Sequence, residues 1–135
     1  SNKESPVGKM FIQPHVKLES GETVLLDEVI GNDFAIIAWG VDPQWGISDT
    51  TLQVWKKLGV KFIQVIPEVQ FGNENRKNID GVITIGDIGT DIRSWFGKTS
   101  ASVVILRPDR FVAALAIPQT LDQVSQQLFK KLHVK

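Results

Sequence analysis

The sequence predicts an α/β fold with a mixed central sheet, helices on both faces and a C-terminal β-hairpin followed by a helix. Apolar runs of strand length alternate with segments of helical spacing, and this alternation implies crossover connections and a mostly parallel centre. Two further apolar runs flank a tight turn near residue 108, which predicts an antiparallel hairpin at the edge. The length of 135 residues fits one domain.

The first half of the chain alternates predicted strands and helices. Residues 15–19 alternate as a short strand does, and residues 34–39 form the continuous apolar run of a strand covered on both faces. A stripe of Leu52, Trp55 and Leu58 predicts a helix between them and the next strand. The predicted segments are, in order, strand 15–19, helix 24–30 ended by Gly31, strand 34–39, a helix capped by Ser48 or Asp49 and ended by Gly59, and strand 60–66.

The second half resumes this pattern after a polar stretch at residues 72–78. Strand 81–85 leads into a short helix with Thr90 and Asp91 as predicted caps, and the hairpin of residues 103–115 follows. In the last helix, Thr120 and Gln123 have the spacing of a capping box. Its apolar residues at helical spacing are Leu121, Val124, Leu128 and Leu132. This order of elements is that of the thioredoxin-like architecture.

Composition and charge exclude several classes of protein. Fifteen basic residues balance fifteen acidic ones without clustering, which argues against a nucleic-acid surface. No apolar run has the length of a membrane span, and a cytoplasmic location is the expectation. We expect residues 1–9 to be a disordered start or an expression remnant, and residues 10–135 to form the single thioredoxin-like domain.

The loop at residues 39–46 holds the place of the redox dithiol of a thioredoxin-like fold. It contains Trp39, Pro43 and Trp45 but no sulfur, and the whole chain has no cysteine. Disulfide exchange needs an attacking thiolate, so the loop is predicted to be redox-inactive. The alternative is a small-molecule pocket formed by Trp39 and Trp45.

Other catalytic and cofactor signals are weak. Residues 86–96 could suggest a phosphate cradle, but only Gly86 and Gly89 are present and no lysine follows. The histidines and aspartates lack metal-ligand spacing, and no serine has the context of a hydrolase nucleophile. A general base at Asp42 or Asp87 stays a weaker hypothesis, because no partner residue supports it.

The hairpin turn carries more charge than a turn needs. Pro108 and Asp109 suit the two corners of a β-turn, and charged flanks keep its tip solvated. That interpretation does not require arginine at position 107. Arg107 could instead stack on another domain or pair with a carboxylate, so Arg107, Asp109 and Arg110 are candidate interface residues.

Three segments in order resemble the FAD-dependent phenol-hydroxylase family of aromatic monooxygenases. Residues 103–115 read VVILRPDRFVAAL, with an Arg-Pro-Asp turn before a short strand. Residues 8–31 and 86–97 are similar to the same family, and the resemblance spans residues 8–116.

This resemblance implies that the chain is the C-terminal thioredoxin-like domain of a larger flavoprotein, whose domain of this kind lacks its redox cysteines. The full enzyme would use FAD with NADH or NADPH to insert one oxygen atom from O2 into a phenolic ring. Partners of the domain would be the FAD and substrate domains of its own chain, and a second subunit. No Gly-x-Gly-x-x-Gly fingerprint follows a first strand, so no cofactor is expected in this fragment.

Two function hypotheses follow. The first is an accessory domain that serves subunit or domain packing, for which Trp45 and Phe71 are the predicted exposed aromatic contacts. The second is a stand-alone, cysteine-free thioredoxin-like binding module.

Overall fold

In a computed structural model, residues 5–72 and 76–133 are described, and they contain a seven-stranded mixed sheet. The strand order is β2-β1-β5-β4-β3-β6-β7. The central strands β3, β4 and β5 are parallel, while β1, β2, β6 and β7 pair with their neighbours in antiparallel fashion. The strands are β1 His15–Lys17, β2 Thr23–Leu25, β3 Ala35–Trp39, β4 Lys61–Pro67, β5 Val82–Asp87, β6 Val103–Leu106 and β7 Val112–Ala116.

Helices cover both faces of the sheet, as predicted. They are α1 Leu26–Ile30, α2 Asp49–Lys57, α3 Asp91–Gly97 and α4 Leu121–Lys131. Helices α1 and α3 bury their apolar residues on one face, and α2 and α4 bury theirs on the other. On that second face Trp55 is fully buried and its Nε1 donates to Ser125 Oγ over 2.9 Å. The alternation predicted from the sequence is therefore confirmed.

The predicted helix at residues 24–30 is only partly present. Val24 and Leu25 lie in β2, where they pair with Val16 and His15 of β1. Local spacing cannot show this pairing, since it depends on the strand across the turn. Gly31 ends the helix as predicted, with φ of 67°.

Two predicted helix caps, Thr120 and Thr90, stand at the N-cap positions of α4 and α3 but make no side-chain cap bond. Thr120 makes no side-chain cap bond to α4, because its hydroxyl bonds to the backbone of Ile117 instead. Thr90 makes none to α3. Ser48, by contrast, caps α2 as predicted, and its hydroxyl accepts a bond from the amide of Thr51.

The start of the chain runs beside the last strand. Residues 1–4 of the start predicted to be disordered lie outside the described residues. Gly8 N donates to Val112 O and Val112 N donates to Lys9 O, at 2.9 and 2.8 Å. Phe11 is buried against the face that holds α1 and α3. Gly8 and Lys9 are thus hydrogen-bonded, whereas the sequence predicted them to be disordered. Their partner lies in β7, about a hundred residues away, so the local sequence does not indicate it.

No helix within the described ranges combines the length and the apolar character that a bilayer crossing demands.

Candidate functional site

The three parallel strands end together on one side of the sheet. Their last residues are Trp39 in β3, Pro67 in β4 and Asp87 in β5. Sites in open α/β sheets form outside this edge, because the loops to the following helices meet there. We call this side the carboxyl end of the sheet and use it as the candidate site.

The loop from β3 to α2 is held at this end by short-range hydrogen bonds. The carboxylate oxygen Oδ1 of Asp42 accepts a hydrogen bond from the amide of Gln44 at 2.8 Å. The backbone carbonyl of Asp42 accepts one from the amide of Trp45 at 3.1 Å. Gly46 has φ of 84°, and a Cβ there would lie 2.6 Å from the carbonyl oxygen of Pro118. These contacts give the carboxylate of Asp42 a turn-forming role, and they fix the backbone on which Trp45 stands.

A second anchor joins this loop to α4. Asp122 Oδ1 accepts from the amide of Ser48 at 2.8 Å. This backbone hydrogen bond is the main reason that the pKa of the Asp122 carboxyl lies below its usual value. The start of α2 is therefore attached to the start of α4.

Trp39 and Trp45 border different depressions. Trp39 is partly buried in a depression of about 260 Å3, whereas Trp45 borders a different one of about 360 Å3. The first is lined by Trp39, Pro67, Glu68, Val69, Asp87, Gly89, Thr90 and Arg93, and the second by Val41, Asp42, Trp45, Pro118 and Gln119. Neither depression brings the two tryptophans together, so one pocket between them stays a prediction without support from these two depressions.

Asp87 caps the helix that follows β5. Its two carboxylate oxygens accept from the amides of Ile92 and Arg93, at 3.3 and 3.0 Å, and the residue is 3% exposed. A carboxylate committed to two backbone amides is a structural cap. The general-base role considered for Asp87 therefore has no support in its contacts.

The hairpin turn satisfies Arg107 locally. Its Nε and Nη2 donate to the two carboxylate oxygens of Asp109, at 3.2 and 3.0 Å, and the guanidinium lies 5.2 Å from the ring centre of Phe111. The hydrogen bond from Arg107 is the main cause that lowers the pKa of Asp109. Both side chains are substantially exposed in this domain, so the pair shapes the turn and its contact with another domain stays a prediction.

Arg110 has a different role, which local sequence patterns did not indicate. Its Nε donates to Asp27 Oδ1 at 2.6 Å and its Nη1 to Pro108 O at 2.6 Å. Its Nη2 donates to the carbonyl of Gly31. The side chain is mostly buried, and its backbone has φ of 73°. Arg110 thus fastens the hairpin turn to α1 of the same domain.

Phe71 lies in a 3-10 helix, Glu68–Gly72, and not in the predicted loop. Its ring packs on Gly86, where a Cβ would come within 2.5 Å, and the guanidinium of Arg76 lies 5.3 Å from the ring centre. Phe71 is partly buried, so it offers less exposed surface than the sequence suggested.

Some of the exposed large apolar side chains lie at the carboxyl end, while others, such as Met10 and Leu132, lie elsewhere. Trp45 is 56% exposed, as predicted, and Val69, just after β4, is 87% exposed. Ile117, just after β7, is 38% exposed. Sequence patterns missed Val69 and Ile117, because a single apolar residue beside a strand end gives no periodic signal. The arrangement offers surface for contact and no converging set of reactive groups among the residues placed there.

The chain matches the HcaD C-terminal domain family over residues 8–131. It is 56% identical over 126 residues to the 3-(3-hydroxy-phenyl)propionate/3-hydroxycinnamic acid hydroxylases of several Escherichia coli strains, a match that covers 93% of the chain. The chain spans only 23% of the length of these relatives.

Among solved structures the chain is similar to a thioredoxin-like protein from Bacteroides caccae, with a TM-score of 0.63 and 15% identity over 90% of this chain and 49% of the other. It is also similar to aklavinone-11 hydroxylase in complex with FAD and aklavinone, with a TM-score of 0.54 and 19% identity over 90% of this chain and 21% of that one. These likenesses confirm the thioredoxin-like fold.

Proposed function

Because this chain belongs to the HcaD C-terminal domain family, we propose that it is the accessory domain of a FAD- and NAD(P)H-dependent aromatic hydroxylase. The relatives are named hydroxylases of 3-(3-hydroxyphenyl)propionate and 3-hydroxycinnamic acid, which makes such phenolic acids the proposed substrates of the whole protein. The aklavinone-11 hydroxylase structure, with FAD, supports a flavin in the whole protein.

The helices that follow the parallel strands of this chain do not fit FAD in the manner of a dinucleotide-binding fold. Such a site needs free amides at a helix N-terminus for the pyrophosphate. At α3 the amides of Ile92 and Arg93 already bond to the carboxylate of Asp87, which would also repel a phosphate. At α2 the amide of Thr51 bonds to Ser48 Oγ. FAD is therefore assigned to other parts of the whole protein, and no step of its chemistry to this chain.

The proposed role of the domain is packing against other domains or another subunit. The observation that carries this is the exposed apolar side chains of Trp45 and Val69 at the carboxyl end, where a redox member of the fold keeps its dithiol. The nearby carboxylates of Asp42 and Asp87 are engaged with backbone amides. A surface with contact residues and no free reactive group suits association better than catalysis.

The hydroxylase assignment is tested on the full-length protein. We expect bound flavin, and oxidation of NADH or NADPH that 3-(3-hydroxyphenyl)propionate stimulates. The chain of residues 1–135, mixed with FAD, NADPH and the same phenol, should give no stimulated oxidation. Turnover by the fragment alone would overturn its accessory role, and a full-length protein without flavin would overturn the assignment to this enzyme class.

The stand-alone binding module is the second candidate. It is favoured by the depression that brings Trp39 and the exposed Arg93 together, an aromatic face beside a cation that could hold an aromatic acid. The reading frame separates the two candidates. A start codon just before residue 1 selects the module, and a long upstream segment in frame selects the hydroxylase.

A further inference from the structure

The depression of about 260 Å3 lies where the three parallel strands end. Trp39 ends β3, Pro67 ends β4 and Asp87 ends β5, and the last two are register partners in the sheet. The start of α3 adds Thr90 and Arg93 to the lining. Because paired strands and a capped helix hold these walls, the depression is formed before a ligand arrives, which lowers the cost of binding.

Three charged side chains line this depression, and two of them are already engaged. The carboxylate of Asp87 accepts hydrogen bonds from the amides of Ile92 and Arg93. The carboxylate of Glu68 pairs with Lys17 Nζ at 2.8 Å. The guanidinium of Arg93 is exposed, and in the part of the chain that the structure describes no acidic side chain or other acceptor binds it. The charge left for a ligand is therefore positive.

The other walls of the depression offer apolar surface. Trp39 is partly buried, so its indole packs against the core on the α1 and α3 face and also borders the depression. Pro67 and the exposed Val69 line it from the side of β4. An indole packs well against another aromatic ring, and a guanidinium binds a carboxylate through two parallel hydrogen bonds. The lining thus combines a surface for a ring with a cation for an acid.

We propose that this depression binds a small carboxylic acid with one aromatic ring, its carboxylate on Arg93 and its ring beside Trp39. The ligand carboxylate meets Arg93 towards solvent, away from the α3 amides that Asp87 occupies. The volume suits a single ring, since cavities for drug-sized ligands begin at about 300 Å3. This binding site goes beyond the packing role and does not depend on the hydroxylase assignment. Trp45, a contact of the packing role, borders the other depression, so one domain can serve both.

Titration of the chain of residues 1–135 with 3-phenylpropionate tests this inference. The chain has its own apolar core on each face of the sheet, so it is tested by itself. The indole N–H signals of its four tryptophans, in nitrogen-15 correlation spectra, are the reporters. Trp39→Phe assigns the signal of Trp39 while it keeps an aromatic ring at that position. Trp45, exposed beside the other depression, and Trp55, buried on the opposite face, are internal controls.

We expect a saturable shift of the Trp39 signal, with the signals of Trp45 and Trp55 unchanged. A shift of Trp39 that does not saturate, or an equal shift of Trp45, would overturn the inference, because the acid would then touch exposed rings at random.

Three analogues of the acid separate the contributions of its ring and its charge. We expect 3-phenylpropanol, which lacks the charge, and propionate, which lacks the ring, to bind at least about tenfold more weakly than 3-phenylpropionate. The amine 3-phenylpropylamine is the strictest comparison, because Glu68 and Asp87 also line the depression. An amine that binds as tightly as the acid would show that these carboxylates set the preference, and it would overturn the inference.

Variants of α3 test the role of Arg93 directly. Arg93→Gln should weaken the binding of 3-phenylpropionate by about tenfold, and Arg93→Lys should restore part of it, since the charge returns without the paired hydrogen bonds. Lys98→Gln removes the same charge just after α3, outside the lining of this depression, and should leave the affinity unchanged. An unchanged signal of Trp55 shows that each variant keeps the fold. Equal losses in Arg93→Gln and Lys98→Gln, or no loss in either, would contradict the proposed site.

Discussion

Arg110 shows how one side chain can join distant parts of this chain. Its guanidinium reaches Asp27 in α1 and the carbonyl of Gly31 just after that helix, about eighty residues earlier, and also Pro108 within its own turn. The two arginines of the turn thus have different roles, since the partner of Arg107 among the described residues is Asp109 of the same hairpin. A turn motif read from the sequence cannot separate these roles, because the partner of Arg110 is remote.

Removing the Arg110 side chain should destabilise the domain. Arg110→Ala deletes hydrogen bonds from a charged group, each worth about 1.5–3 kcal/mol, and leaves the Asp27 carboxylate unpaired. We expect a clear fall in the free energy of unfolding, measured by urea denaturation. Arg107→Ala is the matched control and should have a smaller effect, because its pair with Asp109 is exposed. Equal losses would contradict the distinction.

The lowered pKa of Asp122 predicts a contribution to acid sensitivity. A carboxyl whose pKa is lower in the folded state than its unfolded value of 3.8 stabilises the fold above that value. This contribution is lost as the pH falls through the folded pKa. Asp122→Asn should therefore reduce the dependence of unfolding free energy on pH between neutral and acidic conditions. An unchanged dependence would show that the Ser48 bond does not perturb the carboxyl.

Among the helices and strands, those whose cause lies within their own segment were predicted correctly, and those that depend on a remote partner were missed. Strand β3, helix α2 and the hairpin of β6 and β7 agree with the sequence, because continuous burial, a capped amphipathic stripe and a Pro-Asp turn lie within each segment. Strand β2 was missed because its formation depends on pairing with β1. The 3-10 helix Glu68–Gly72 was missed because the ring of its Phe71 packs on Gly86 of β5.

Helix α3 should depend on Asp87 and not on the predicted caps. Asp87→Ala removes the acceptor of two helix amides, and we expect a loss of about 0.5–2 kcal/mol, typical of a lost N-cap. Asp87→Asn should retain part of this stability, since an amide oxygen still accepts one bond. Thr90→Ala is the control, because its side chain makes no cap bond. Chemical denaturation of the three variants checks the order.

For the whole molecule, the fold and the family could be predicted, while most of the candidate site could not. The order of strands and helices and three quoted segments were sufficient for the thioredoxin-like fold and the hydroxylase resemblance. Of the predicted contact residues, Trp45 is exposed and Phe71 is partly buried. Exposure at Val69 depends on how β4, β5 and the 3-10 helix meet, which no local pattern encodes.

On the proposed accessory role, deleting this domain from the full-length protein should uncover the surface against which the domain packs. We expect the shortened protein to keep its flavin, because the helices that follow the parallel strands of this chain do not fit FAD. Its thermal midpoint should fall or its tendency to aggregate rise, since an apolar face loses its cover. Flavin absorbance and light scattering measure the two effects. A shortened protein without flavin would contradict the assignment of FAD to the preceding domains.

The pairing of Gly8 with Val112 also governs when the domain can be completed on the ribosome. The two residues are about a hundred positions apart, so the first must wait while nearly the entire domain is translated. Contacts between such distant residues form late, because their loop must close first. The fold of this domain is therefore completed only near the end of its own synthesis, when both Gly8 and Val112 have left the ribosome.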